Sequence, residues 1–310
     1  MKLSKIEGFG NLGVKISDIN LNTASDEELM EVGQEVLDKL VVVVEKECAN
    51  VPVERFHYIQ TLWGEPVRSY AGDRLKERVE KEGWSKLYLE TAKDMKAMTK
   101  NLDHLPGMIR VTGIKDQKGN RTGMFADGEL DWHSNQQSDN DGHAPLIGLQ
   151  GVEGTAGSST EFLQTVDAFN DLDSDTQAEV DNLVAIHKFE KDRVSRGTSD
   201  SQALITNLQL VPEDNVEMKV TVKAPNGVKG MHFPWTSIVG FKDYTQQEFD
   251  KLYNHLVEHL WQDKYVYKHS WQDGDIVWMD QIVTLHRRPG NDTSTRLLHR
   301  MCSNWSKMGV

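Results

Sequence analysis

The sequence predicts a mainly β protein with flanking helices, built as a barrel or jelly roll. Short apolar runs recur along the chain, most with Gly, Pro, Asn or Asp close by. They lack the regular helical crossovers of a doubly wound parallel sheet. Helical spacing of apolar residues stands out in three stretches. With 310 residues, such a chain can bury roughly 75% of its unfolded surface and needs no disulfide or metal staple to fold.

Taken in order, the first helix begins near Ser25, where Ser25-Asp26-Glu27-Glu28 is a capping box and Leu29, Val32, Val36 and Leu40 make one stripe. Val41 to Val44 follows as a β-branched strand, buried on both faces. Residues 64–128 are mixed and polar, and read as a lid or insertion over the rest. Leu146 to Gln150 is a strand, and the glycine-rich run from Gly151 to Gly157 is a turn between strands, since it has neither dinucleotide spacing nor a helix pattern after it. A second helix begins near Ser174, with Gln177 as its reciprocal cap and Val180, Leu183 and Ile186 on one face. Met218 to Val222 and Ser237 to Phe241 are strands. A third helix begins near Thr245, with Glu248 as partner and Phe249, Leu252, Leu256 and Leu260 facing one way. Asp275 to Trp278, Ile282 to Leu285 and a run centred on Leu297 and Leu298 complete the strands. No convincing linker interrupts the chain, so residues 1–310 are expected to form one domain.

The 48 acidic residues outnumber the 35 basic ones, giving a formal net charge of −13. Nucleic-acid binding needs clustered Lys and Arg, and the densest basic stretch, Lys76 to Lys86, is interleaved with Glu; no nucleic-acid partner is expected. No run approaches the ~20 apolar residues of a membrane span, so no membrane partner is expected either. The opening MKLSKIEGFG lacks an apolar signal region. Cys48 and Cys302 offer one disulfide at most, and a reduced, cytoplasmic setting is expected. What survives is an enzyme or binder acting on a small molecule, with a homo-oligomer left open.

Two histidine-centred segments carry the chemistry. One runs from Asp127 to Gln136 (DGELDWHSNQ), the other from Trp271 to Arg300. A lone histidine is ordinarily a surface or satisfied core residue. His133 and His286 rise above that because each ends a strand-like run in an aromatic context. Two imidazoles from separate strands of one barrel can meet at a metal, and with one carboxylate they would make the facial triad of non-haem Fe(II) oxygenases.

The order of these segments resembles the taurine/2-oxoglutarate dioxygenase (TauD/TfdA-like) family of Fe(II)- and 2-oxoglutarate-dependent oxygenases. Leu12 to Leu21 is similar to the family's opening strand, Trp132-His133-Ser134 to its Trp-His-Thr/Ser, and Gly274-Asp275-Ile276-Val277-Trp278 with Asp280 and His286 to its distal histidine segment. The resemblance implies a double-stranded β-helix (jelly roll) and the cofactors Fe(II) and 2-oxoglutarate. The reaction it implies consumes O2 and hydroxylates an unactivated C–H of a small substrate. It further implies that His133 and His286 bind iron. Arg300, fourteen residues after His286, would hold the distal carboxylate of 2-oxoglutarate with Thr160, and Arg296 is the nearby competitor. Glu129 falls at a substrate-facing position, which favours an amine-bearing or amino-acid-like substrate; Tyr70 and His232 are further pocket candidates.

One residue departs from the family pattern. Asn135 stands where the family has a metal-binding Asp or Glu. An amide brings no negative charge and is a poorer ligand. Three alternatives stay open: Asn135 ligates weakly; it leaves a position for water or an anion, with halogenation or another non-hydroxylating oxidation as outcome; or the chain is a non-catalytic binder. Asp131, on the face of His133 if the strand alternates regularly, and Asp139, Asp141 and His232 are candidate substitute ligands. A zinc-hydrolase reading of His255-Leu256-Val257-Glu258-His259 ranks far lower, because the two histidines adjoin an apolar helix stripe and no third ligand follows.

Overall fold

A computed structural model describes residues 1–7, 9–67, 71–125, 128–135, 145–188, 215–290 and 295–310. Its strands in chain order are β1 (Lys2–Lys5), β2 (Gly13–Ser17), β3 (Val41–Val44), β4 (Met108–Thr112), β5 (Leu130–His133), β6 (Leu146–Glu153), β7 (Ser159–Gln164), β8 (Val184–His187), β9 (Val216–Lys219), β10 (Thr221–Lys223), β11 (Lys229–Met231), β12 (Ile238–Phe241), β13 (Val266–Ser270), β14 (Ile276–Asp280), β15 (Thr284–Arg288) and β16 (Leu297–Ser303). The helices are α1 (Asp26–Lys39), α2 (Lys46–Ala49), α3 (Val53–Trp63), α4 (Ala71–Glu82), α5 (Lys86–Met98), α6 (Thr165–Asn170), α7 (Ser174–Asn182) and α8 (Gln246–Leu260).

Among the described residues a seven-stranded sheet runs β1-β2-β3-β14-β6-β16-β4, and a four-stranded sheet runs β13-β7-β15-β5. Pairing is antiparallel except between β2 and β3, which the α1 crossover joins in parallel. The two sheets face each other across one core. Val41, Val43, Ile147, Leu149, Val277 and Leu298 from the larger sheet meet Phe162 from the smaller one. The result is the jelly roll that the short strands predict.

Strand alternation explains the layers. Val42, Val44 and Trp278 point the other way, into a cluster with Leu29, Val32 and Val36 of α1 and with Phe56 and Ile59 of α3. The valine run is therefore apolar throughout because both faces are covered. Gly33 lets α1 approach α3, since a Cβ there would lie 2.4 Å from the Trp63 ring nitrogen. Behind the smaller sheet, Trp132, Leu163 and Leu285 pack on Leu252, Leu256 and Leu260 of α8.

The capping boxes at Ser25 and Thr245 are both formed. The second helix is capped differently: Asp173 is its N-cap, and the Gln177 amide donates to the carbonyls of Phe169, Asn170 and Leu172. Ile186, read as its last stripe position, lies instead in β8. Within 64–128, α4, α5 and β4 form, and β4 pairs with β16 at the edge of the larger sheet. The glycine-rich run is the β6–β7 turn, and its Gly154 (φ 61°) and Gly157 (φ 84°) hold the left-handed backbone that favours glycine. Cys48 and Cys302 are free thiols.

Candidate active site

His133 and His286 end up directly opposite each other, because β5 and β15 pair with these residues in register. Their ring centroids are 4.1 Å apart. His133 Nδ1 lies 2.6 Å from the Asp131 carbonyl oxygen. A carbonyl only accepts, so the proton is on Nδ1 and the lone pair on Nε2. Burial lowers the His133 pKa to about 4; the Asp131 carbonyl opposes this, while Arg300 and Arg288 add to it. His286 is also lowered well below the ordinary value, first by burial and then by His133 and Arg300. Both imidazoles are therefore neutral bases, the form that binds a metal.

Regular alternation would set Asp131 beside His133 on the inner face. A β-bulge prevents it: on β5 three steps separate Leu130 from His133, whereas on β15 two separate their partners Arg288 and His286. Leu130 and His133 therefore line the cavity together. The Asp131 carboxylate turns back to accept from the Trp132 amide at 2.8 Å.

The cavity lies between the sheets; Thr160, Arg288, Arg296 and Arg300 line it with the two histidines. Arg288 donates to the Gly128 and Phe125 carbonyls at 2.9 and 2.7 Å. Phe125 has φ 52°, a strained value for an aromatic residue, and it turns its carbonyl to Arg288 while its ring lines the cavity. Arg287 is paired with Glu161 at 2.6 Å. Arg296 is 2% exposed, and its Nε and Nη1 have no hydrogen-bond partner. Burial, reinforced by Arg288, lowers its pKa to about 9, so it stays cationic at neutral pH. Arg300 is only partly buried; its Nη1 donates to Asn135 Oδ1, and its Nε is buried with no partner.

The two arginines sit at different depths. Arg300 reaches the histidine end through Asn135, whose Nδ2 lies 3.2 Å from His286 Nε2. Arg296 precedes β16 on the same face, near the β6–β7 turn that leads into Thr160. Arg287 pairs with Glu161, so Arg288 comes level with Thr160 one step on. Trp271 Nε1 donates to Thr160 Oγ1 at 2.9 Å. Thr160 thus has its own O–H free to donate into the cavity.

Asn135 is held at both ends. Its backbone N–H and its Nδ2 donate to Gln281 Oε1 at 2.8 and 2.9 Å, and its Oδ1 accepts from Arg300. Gln281 carried no sequence signal, because its partner is 146 residues away. Arg288 had one: two residues after an inward His286 on a strand, it must also face inward.

The remaining sequence candidates lie elsewhere. Glu129 is half-buried at the start of β5 and is not among the residues lining this cavity. His232 is buried outside the cavity, with Nδ1 3.1 Å from the Ile282 carbonyl and its ring 5.8 Å from that of His187. Tyr70, Asp127, Asp139 and Asp141 lie outside the described residues. On α8, His255 is exposed, and His259 is bonded to the Ala168 carbonyl at 2.7 Å. Among the described residues no group of three His, Cys, Asp or Glu could hold a metal, and no helix is long and apolar enough to cross a membrane.

The model of the taurine catabolism dioxygenase TauD, TfdA family matches residues 90–302, well over half of the chain and including both histidine segments. The chain belongs to this family. It is 30% identical over 141 residues to the alpha-ketoglutarate-dependent 2,4-dichlorophenoxyacetate dioxygenase of Cupriavidus pinatubonensis (strain JMP 134 / LMG 1197), covering 46% of this chain and 48% of that protein. A protein of the same name from Burkholderia sp. (strain RASC) is 29% identical over 141 residues, covering 46% of each. The chain thus spans about half the length of the curated relatives it matches. In fold it is similar to a taurine dioxygenase from Burkholderia xenovorans (TM-score 0.66, 16% identity, 97% of this chain and 90% of that one). It is similar also to AAD-2, solved with Mn(II) and N-oxalylglycine (TM-score 0.67, 19% identity, 98% and 97% covered).

Proposed function

We propose that the chain is an Fe(II)- and 2-oxoglutarate-dependent dioxygenase that hydroxylates an unactivated C–H of a small molecule. The observation that carries this reading is the cavity itself: two neutral imidazoles beside two guanidiniums, the buried Arg296 and the partly buried Arg300, each with a buried N–H that has no partner and for which the described residues supply no carboxylate. Buried charges are ordinarily paired, so the site is built for an anion next to a metal. The donor set fits both. Neutral histidines accept a divalent ion, and a dicarboxylate suits two arginine forks.

Within this reading His133 and His286 hold the metal. Arg296 and the O–H of Thr160 bind the far carboxylate of 2-oxoglutarate, supported by the partnerless donors of Arg296 and by Trp271 occupying the Thr160 oxygen. Arg300, tied to Asn135 at the histidine end, acts on the keto-acid end. This exchanges the roles the family spacing suggests for Arg296 and Arg300. Bound iron would supply the redox chemistry that couples O2 reduction and oxidative decarboxylation to C–H oxidation. The apolar walls, Val111, Leu130, Leu149 and Leu298, exclude water from it. For the substrate, an amine-bearing or amino-acid-like molecule is the finer reading. It is supported by half-buried Glu129, which sits beside Gly128 and its bond to Arg288.

Anaerobic addition of Fe(II) and 2-oxoglutarate to the folded chain tests this. A weak visible charge-transfer band, followed by succinate release when O2 is admitted, is expected. Neither signal from a folded protein would refute the assignment.

A further inference from the structure

The Asn135 amide has only one consistent orientation. The backbone N–H of Asn135 can only donate, so the Gln281 atom facing it at 2.8 Å is the oxygen. That same oxygen lies 2.9 Å from the Asn135 amide, which must therefore present Nδ2 to it. At the other end Arg300, which can only donate, requires Oδ1. Turning the amide over would set oxygen against oxygen at Gln281 and N–H against N–H at Arg300. Gln281 is completely buried and Arg300 partly so. The group aimed at His286 Nε2 from residue 135 is consequently an N–H, 3.2 Å away, where a ligating carboxylate would place an oxygen.

The charge balance leads the same way. A divalent ion entering alone would meet two neutral imidazoles, that N–H, and the guanidiniums of Arg296 and Arg300. Among the described residues, the carboxylate of Glu161 beside the cavity is already taken by Arg287. A dianion entering alone would satisfy the arginines but leave the His133 lone pair unused and that of His286 facing only the Asn135 N–H. Together they neutralise each other and satisfy both sets of donors.

We propose that Asn135 is a clamped hydrogen-bond donor and not a metal ligand, and that the divalent ion and 2-oxoglutarate bind as a pair, the dianion supplying the charge that residue 135 does not. This rests on the function proposed above and adds a linkage between its two cofactors. Gln281 and Arg300 are then positioning residues for the amide.

The test is Mn(II) binding to the metal-free full chain, followed by the loss of the free-Mn(II) paramagnetic resonance signal, with and without saturating 2-oxoglutarate. The wild type is expected to bind Mn(II) at least about tenfold more tightly with 2-oxoglutarate, and 2-oxoglutarate to gain the same factor from Mn(II), because linkage is reciprocal. Asn135→Ala should keep the Mn(II) affinity measured with 2-oxoglutarate to within about threefold. Asn135→Asp should tighten Mn(II) binding in the absence of 2-oxoglutarate and shrink the coupling. Equal Mn(II) affinity with and without 2-oxoglutarate would overturn the proposal. So would a loss of more than about tenfold in Asn135→Ala, with unchanged thermal unfolding. If neither Mn(II) nor 2-oxoglutarate binds the wild type, singly or together, the assigned function itself fails and takes this inference with it.

Discussion

On one side of Trp271 lies a chain of buried polar groups that answer one another. Tyr267 Oη is 3.1 Å from His269 Nδ1, and His269 Nε2 is 3.1 Å from Asp275 Oδ2. Asp275 also accepts from the Gln272 and Lys46 amides. Burial alone would raise the Asp275 pKa, but His269 and these amides outweigh it and hold it below the ordinary value. On the other side, where Trp271 bonds Thr160, the buried Arg296 and the partly buried Arg300 have no carboxylate among the described residues. The first cluster is complete within the chain. The second, under the function proposed above, is completed by an anion. Asp280 sharpens the contrast. It is buried with no cation partner among the described residues, and burial raises its pKa to about 7, so it can escape by taking up a proton. Arg296 has no such exit at neutral pH, since its pKa falls only to about 9.

The contrast breaks most readily at the histidines. Replacing His286 or His133 by Ala should weaken Mn(II) binding in the presence of 2-oxoglutarate by at least about 100-fold, given that losing even an orienting group costs roughly 10–100-fold. Wild-type affinity in either variant would place the metal elsewhere. Next is Arg296→Met. Removing a buried charged partner costs about 2–5 kcal/mol, so 2-oxoglutarate affinity should drop on the order of 100-fold by calorimetry. The ligand-free protein should become more stable by about 1–3 kcal/mol, because an unsatisfied buried group is gone. Asp275→Asn should do the opposite. It leaves His269 without its carboxylate and should cost about 2–4 kcal/mol in denaturant unfolding while 2-oxoglutarate affinity holds. Matching signs for these two variants would erase the distinction between the clusters.

Asp280 gives a pH signature. Its pKa is raised in the folded state, so between pH 3.8 and about 7 the folded chain holds a proton that the unfolded chain has lost. Stability from this group is therefore present at low pH and lost as pH rises through 7. Asp280→Asn keeps an oxygen for the Ile282 and Val283 amides, which Oδ1 accepts at 2.8 Å. The variant should exceed the wild type by a few kcal/mol at pH 8, at about 1.4 kcal/mol per pKa unit, and the gap should close near pH 4. A pH-independent difference would contradict the burial argument. The smallest effect is expected from Gln281→Leu, which removes one clamp on Asn135. It should change Mn(II) affinity by only about threefold while reducing its dependence on 2-oxoglutarate.

How much of this was legible depended on the reach of each interaction. The capping boxes at Ser25 and Thr245 close over three residues, and the valine run carries its burial in its own composition. His133 and His286 were legible because each sits in a local motif. Ser174 misled because Asp173, one residue earlier, offers a better cap. Asp131 misled because alternation assumes an unbroken ladder, and the β5 bulge shifts it. The Asn135–Gln281–Arg300 clamp was out of reach: it joins residues 146 and 165 positions apart, and nothing in either segment announces the other. Spacing after His286 put Arg300 and Arg296 in competition, and only their different bonding separates them.

Arg296 and Arg300 are proposed to form a dianion site beside two metal-binding histidines. A crystal structure of the full chain with Mn(II) and 2-oxoglutarate tests it most directly. Mn(II) is expected on His133 and His286, the far carboxylate on Arg296 and Thr160, and Asn135 Oδ1 still bonded to Arg300. Asn135 Oδ1 on the metal, or the dicarboxylate bound away from Arg296, would contradict it.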